Sequence, residues 1–312
     1  MLAQLHKDFP QDVRIVYRYF PLTSIHANAL MSVQAAEAAA LQNKFWEMHD
    51  VLMTQQATWS GMTTDQFTSW LSDQAGSMQM DKTKFSADLN SDAIKQKALA
   101  AEAEGTRVGV SYTPFLVIDG NIWQGPQDLQ NLEAVVSLTR LEKRQFVGCP
   151  LMTIDPKKQY IATLQTDKGN IVIQLYADKA PIAVNSFIFL AKNGWFDGVI
   201  FHRVLANFVA QTGDPSGTGF GGPGYAFKNE IDPNLKFDKP GVVGMANAGP
   251  DSNGSQFFII YSAQANLDGN YTIFGQVIQG MDVATQLTQR DPSQAAALPP
   301  GDKIIKVTIE EK

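Results

Sequence analysis

The densest run of chemistry-bearing side chains is FHRVLANFVAQTGDPSGTGFGG, from Phe201 to Gly222. Within it Arg203 stands in an apolar, strand-like neighbourhood, with Phe208 and Val209 nearby and Gln211 two residues further on. A guanidinium beside an apolar surface cannot discharge, so it must find acceptors. Two readings stay open on spacing alone: a structural arginine bonded to strand-end carbonyls, or a fixed cation offered to a ligand. Gly217, Gly219 and Gly222 have the spacing GxGxxG, which cradles a dinucleotide when a strand precedes it and a helix opens within it. These glycines lie between Asp214-Pro215 and Pro223-Gly224, where a helix has no room to begin, so nucleotide binding is not expected. Asn253-Gly254-Ser255 matches a glycosylation acceptor but directly precedes the apolar run Phe257 to Ile260, and reads as a tight turn. His6, His26, His49 and His202 are too scattered for a motif such as HExxH, and no Ser, Cys or His sits in a nucleophile elbow. Cys149 is the only cysteine, which excludes an intrachain disulfide, a CxxC pair and a multi-cysteine zinc site.

Composition narrows the classes further. With 312 residues, 44% hydrophobic and 18% charged, the chain has material for about two domains with real cores. The net charge of -6 divides into 12 basic against 16 acidic residues over 1–145 and 13 against 15 over 146–312. Neither half is basic, so no nucleic-acid partner is expected. No apolar run approaches the roughly 18 residues of a membrane span, and the opening MLAQLHKDFP lacks a charged segment followed by an apolar one, so neither a span nor an export signal is expected in this chain.

The elements that must position these residues fall into two styles. Val13 to Tyr19 is β-branched and aromatic and reads as a strand; Ala27 to Gln42 is an Ala-rich helix; Phe45-Trp46 with Met48, Leu52 and Met53 has helical spacing and reads as core. Thr63 to Gln66 resembles a capping box before Phe67 to Leu71, and Asp92 to Glu104 is again Ala-rich, closing at Gly105 or Gly109. Strand style returns at Phe115 to Ile118, turns at Asp119-Gly120, continues through Asn121 to Gln124, and gives way to a helix from Gln127 to about Lys143. The boundaries expected are an α/β domain over 1–145 with a helical insertion, a connector over 146–158, and a second domain over 159–312. The second domain reads as strands at Tyr160 to Thr166, Asn170 to Tyr176, Val199 to Phe201, Phe208 to Gln211, Val242 to Ala246, Phe257 to Ile260, Thr272 to Val277 and Ile304 to Ile309. Helices are expected at Pro181 to Asn193 and near Met281 to Thr288. Many short strands with Gly and Pro turns and few helices indicate a closed or nearly closed β-barrel.

The motifs TDKGNIVIQLY, APIAVNSFIFLAKNGWFDGVIFHRV, FVAQTGDPSGTG, GVVGMANAGPDSNGSQFFI and LDGNYTIFGQVIQGMDV, in that order from about Tyr160 to Glu311, resemble a cyclophilin, a peptidyl-prolyl cis/trans isomerase. The resemblance implies a closed eight-stranded antiparallel barrel capped by two helices, acting on X-Pro segments of polypeptides without cofactor or metal. It implies that Arg203 of FHRV is the catalytic arginine, that Gln211 contacts substrate, and that Phe208, Val209, Phe258 and Leu267 form the proline pocket. Ala246 and Asn247 of MANAG fall on the segment that holds the substrate backbone. Three positions depart from the commonest pattern: Val209 replaces a usual Met, Tyr271 sits where a His is frequent, and Asn266 stands where many members have Trp at the rim that cyclosporin contacts.

VRIVYRYFPL, HANALMSVQAAEAA with KFWEMHDVLM, and SYTPFLVIDG resemble a DsbA-like thioredoxin-fold domain over about 1–145, with Thr113-Pro114 on the family's cis-proline loop. In that family the first strand and the redox CxxC lie ahead of a stretch like the opening of this chain, so the expectation is the scaffold without its thiol chemistry. Such domains resemble extracytoplasmic proteins. The leading expectation for function is prolyl isomerisation in protein folding; the alternatives are a non-catalytic polypeptide-binding or chaperone module and, in a longer gene product, a thiol-disulfide oxidoreductase fused to an isomerase.

Overall fold

The computed structural model describes residues 1–294 and 298–312. The chain divides into two compact units, Ile15–Gly125 and a second formed by Met1–Arg14 with Pro126–Lys312. The second unit begins with helix α1 (Leu2–Asp8).

Ile15–Gly125 is mostly helical: α2 (Ala29–Ala40), α3 (Phe45–Thr54), α4 (Gln56–Trp59), α5 (Thr64–Ser77), α6 (Lys82–Leu89) and α7 (Asp92–Arg107). Ala35, Ala36, Ala38 and Ala39 of α2 are buried, and their small side chains let α3, α6 and α7 pack closely around it. Phe67, Leu71 and Phe85 fill the space between. Local chemistry sets the helix starts. The Thr63 hydroxyl accepts from Gln66 N–H while the Gln66 side chain accepts from Thr63 N–H, a complete capping box. Asp81 and Ser91 cap α6 and α7 by accepting from Lys84 and Ile94 N–H.

The strand expected at Val13 to Tyr19 does not form a ladder. Its β-branched and aromatic residues favour an extended backbone, but a strand is defined by exchange of hydrogen bonds with a neighbour, and among the described residues none pairs with it. The strands expected over Phe115 to Gln124 shrink to a hairpin of two residues a side, β1 (Val117–Ile118) and β2 (Asn121–Ile122). Asp119 and Gly120 both take positive φ between them, the geometry of a tight hairpin turn. The Thr113–Pro114 peptide is cis, as the resemblance implied.

In the other unit, α8 (Leu129–Glu142) is capped by Asp128 and buries Leu141 in the barrel core. The connector is packed rather than free: Phe146 N–H donates to the Pro223 carbonyl at 2.8 Å, its ring lies 4.8 Å from that of Phe189, and the Asn185 side chain bonds both Thr153 and Leu151 backbone. The barrel strands are β3 (Tyr160–Thr166), β4 (Gly169–Leu175), β5 (Arg203–Val204), β6 (Val209–Thr212), β7 (Val242–Met245), β8 (Phe257–Ile260), β9 (Ile273–Gln279) and β10 (Ile304–Glu311), with helices α9 (Pro181–Lys192) and α10 (Met281–Thr285). Among the described residues these eight strands form one antiparallel sheet in the order β10-β3-β4-β9-β7-β8-β6-β5. Its two ends meet through backbone bonds from Gly198 and Phe201 N–H to Ile304 and Asp302 carbonyls and from Ile304 N–H to Val199, at 2.8 to 2.9 Å. The run Val199 to Phe201, read as a strand from its residues, therefore serves as the seam. Phe187 and Ile188 of α9 press into the core with Phe196, Phe257 and Phe274. The Glu230 carboxylate accepts from Ile182 and Ala183 N–H at the start of α9, and burial raises its pKa.

Candidate functional site

Antiparallel pairing of β5 with β6 sets Arg203 directly opposite Gln211, and pairing of β6 with β8 sets Gln211 opposite Phe258. Cross-strand neighbours share one face of the sheet, so three residues far apart in sequence come together. The Arg203 Nη1 lies 3.5 Å from Gln211 Oε1, and its guanidinium carbon is 5.3 Å from the centroid of the Phe208 ring. Among the described residues no carboxylate lies within ion-pair distance of Arg203 and no backbone carbonyl accepts from its side chain, so the strand-end structural reading of this arginine is not what the fold displays. Arg203 is one of the residues that line the cleft.

The apolar floor is a small cluster separate from the main core: Val209, Phe258 and Leu267 are buried with Phe237 and Ile273, while Phe208, Ala246 and Tyr271 are half-buried against them. Phe258 is held by Phe237, stacked at 5.6 Å, and by the Tyr271 ring edge at 5.5 Å. Leu267 is presented by a single 3-10 turn, Ala265–Leu267. Asn266 in that turn is exposed and is not among the lining residues. Arg203, Phe208, Val209, Gln211, Ala246, Asn247, Phe258, Leu267 and Tyr271 line one cleft of about 100 Å³. These include every position the sequence offered for catalysis and substrate contact, while Asn266, expected at the rim, is not one of them.

The polar wall depends on Gln256, which sequence reasoning missed. Its Oε1 accepts from Gln211 Nε2 at 3.0 Å, its Nε2 donates to the carbonyls of Gly219 and Gly221 at 2.9 Å each, and its own carbonyl accepts from Ala246 N–H. The available signal was its position two residues before Phe258 in an extended run, on the same alternating face. Asn247 donates through Nδ2 to the Asn270 carbonyl at 3.3 Å, and its Oδ1 accepts from Gly249 N–H. Those bonds fix the side chain and leave the backbone of Ala246–Asn247 beside the cleft.

The glycine-rich loop is a cradle, but its anion is internal. Asp214, 0% exposed, accepts from Ser216 N–H and Oγ, Thr218 Oγ1, and the N–H groups of Gly219 and Gly221. A Cβ on Gly221 would come within 2.1 Å of the Asp214 carboxylate, which explains glycine at that position. His202, 3% exposed, is not among the residues that line the cleft, and among the described residues neither of its ring nitrogens has a hydrogen-bond partner. Burial lowers its pKa to about 4; Asp214 opposes the shift, and Arg290 and Arg203 add to it.

Residues 161–309 match the family model described as cyclophilin type peptidyl-prolyl cis-trans isomerase, and residues 3–137 match one described as thioredoxin. The peptidyl-prolyl cis-trans isomerase of Helicobacter pylori is 43% identical over 149 residues, 46% of this chain and 91% of that protein. Peptidyl-prolyl cis-trans isomerase A of Mycobacterium tuberculosis is 44% identical over 148 residues, 43% of this chain and 81% of its own. Peptidyl-prolyl cis-trans isomerase 9 of Schizosaccharomyces pombe is 41% identical over 186 residues, 59% of this chain, and the aligned part spans only 29% of that longer relative. An antiparallel barrel with this cleft and a Helicobacter pylori relative matched over nine-tenths of its length lead to one assignment: the chain belongs to the cyclophilin-type peptidyl-prolyl cis-trans isomerases, with a thioredoxin-family region ahead of the isomerase domain.

Proposed function

We propose that this protein accelerates cis/trans isomerisation of X-Pro bonds in polypeptide substrates, with Arg203 as the catalytic group, and thereby assists protein folding. The observation that carries the reading is a guanidinium without a carboxylate partner, among the described residues, at the edge of an apolar cleft. Partial double-bond character gives the peptide bond a barrier of about 18–20 kcal/mol, and uncatalysed prolyl isomerisation takes tens to hundreds of seconds. No covalent bond breaks. In the twisted transition state amide resonance is lost and the prolyl nitrogen regains a lone pair. A permanently charged donor stabilises that lone pair more than the planar ground state, which is the condition for catalysis. In this reading Phe208, Val209, Phe258 and Leu267 hold the ring, with Tyr271 closing the wall. Gln211 and the Ala246–Asn247 backbone tether the flanking chain, so rotation is confined to one bond.

The functional division proposed is a thioredoxin-type region over 1–145, a connector over 146–158 and an isomerase domain over 159–312. With Cys149 as its single cysteine, this chain cannot cycle an internal dithiol. Prolyl-peptide turnover tests the reading. The chain is expected to accelerate isomerisation of a short Ala-Pro peptide, and peptide binding without turnover would replace catalysis by a polypeptide-binding role.

A further inference from the structure

Val13 to Leu22 runs on without helix, strand, turn or bend, and from Arg14 to Phe20 no backbone N–H or C=O has a hydrogen-bond partner among the described residues. The side chains nevertheless alternate as they do along a strand. The Tyr17 and Tyr19 rings lie 5.5 Å apart and both reach Phe45 of α3, at 6.0 and 6.1 Å, so residues two apart share one face. That face is packed on α3, with His49 also 4.6 Å from the Tyr17 ring. The intervening Arg14, Val16 and Arg18 are exposed, Val16 at 57%. A run with one face anchored and its peptide groups unpaired is a template for another strand.

The residues themselves point to what pairs with it. When two copies meet antiparallel about a two-fold axis, each residue faces one of the same parity and one residue faces itself. A register centred on Val16 sets Arg14 against Arg18, and one centred on Arg18 sets that arginine against itself. Registers centred further out leave less than half the run paired. The register centred on Tyr17 pairs the whole run: Tyr17 faces Tyr17, Ile15 faces Tyr19, and Arg18 faces Val16. Aromatic and β-branched residues stabilise one another across strands, and like charges directly opposite destabilise, so the run is self-complementary in this one register. We propose that Ile15 to Phe20 is a self-association surface, through which two copies of this chain pair antiparallel about Tyr17 in a symmetric dimer. A single strand pair of this length is a small interface, so the dimer is weak and dissociates on dilution.

Sedimentation equilibrium of the full chain over a series of concentrations tests this with Val16→Glu and Val16→Arg. Val16 is exposed and its peptide groups have no partner, so both variants are expected to keep the fold. In the register about Tyr17 residue 16 of each copy faces Arg18 of the other, giving two such pairs per dimer. V16E is expected to tighten the dimer about fivefold and V16R to loosen it about fivefold, with both effects fading in high salt. Overall charge acts in the opposite sense: the chain carries -6, so added Glu increases repulsion between copies and added Arg relieves it. Amide exchange at Ile15 to Phe20, fast in dilute protein, is expected to slow as the dimer forms. A wild type that stays at 34.2 kDa up to about 1 mM overturns the proposal, as does a dimer whose strength ignores residue 16 or follows overall charge. A monomeric chain whose Ile15 to Phe20 amides slow only on adding a reduced, carboxymethylated unfolded protein also overturns it, and gives this edge to polypeptide substrates instead.

Discussion

Among the described residues Arg203 spends little of its hydrogen-bonding capacity on the protein: one long bond to Gln211 and a ring contact with Phe208. If it stabilises the twisted prolyl nitrogen, Arg203→Ala loses about 100- to 1000-fold in kcat/KM, the range seen when one preorganised donor is removed, with the melting temperature nearly unchanged. Arg203→Lys restores part of the rate, because an ammonium keeps the charge and loses the planar fork. A folded Arg203→Ala variant with near-normal turnover of a prolyl peptide would remove Arg203 from the mechanism. The neighbouring His202 gives a pH signature. Its folded pKa of about 4 lies below the unfolded value near 6.5, so between them the unfolded chain binds more protons and stability falls as pH falls. The loss approaches roughly 3 kcal/mol by pH 4 and is absent above pH 6.5. In His202→Gln that component disappears, so urea unfolding of both proteins from pH 7 to pH 4 should give a difference that grows toward acid. A constant difference would mean that His202 is protonated in the folded state.

At the scale of elements, the loop over 213–222 and the helix starts are governed by small sets of hydrogen bonds. Asp214→Ala leaves five donors without their acceptor in a buried place, and is expected to cost at least about 3 kcal/mol in urea unfolding. It also lowers kcat/KM, since the Gly219 and Gly221 carbonyls that steady Gln256 move with the loop. Unchanged stability would show that water replaces the carboxylate. Thr63→Ala removes one half of the α5 capping box and should cost about 1 kcal/mol, read from the same titration followed by helical circular dichroism. Both features are written locally, yet they differ in legibility. The capping box can be read from four consecutive residues because its partners are three positions apart. The glycine loop has dinucleotide spacing, and only its contacts reveal that Asp214 already occupies the nest.

At the scale of the molecule, the two compact units protect their backbones very differently. The long strands β3, β4 and β10 are bonded along their length, and in Ile15–Gly125 the segment from Ile15 to Phe20 is bonded to no strand among the described residues. Hydrogen exchange should therefore be fastest at Ile15 to Phe20 and slowest at the centre of β3 and β4; uniform protection across both units would contradict this. What the sequence alone determined was what depends on near neighbours and periodicity: the helix starts, the alternating strands of the barrel, the change of style between the two parts, and, through long motifs, the nine positions that line the cleft, Arg203 among them. Tertiary structure alone decided pairing. Val13 to Tyr19 has every local mark of a strand and forms no ladder, because a ladder needs a partner that local propensity cannot supply. Gln256 looks like one more polar residue until the fold brings Gln211, Ala246 and two loop carbonyls to it from up to 45 positions away, since hydrogen bonds depend on distance in space and the sequence records only order along the chain.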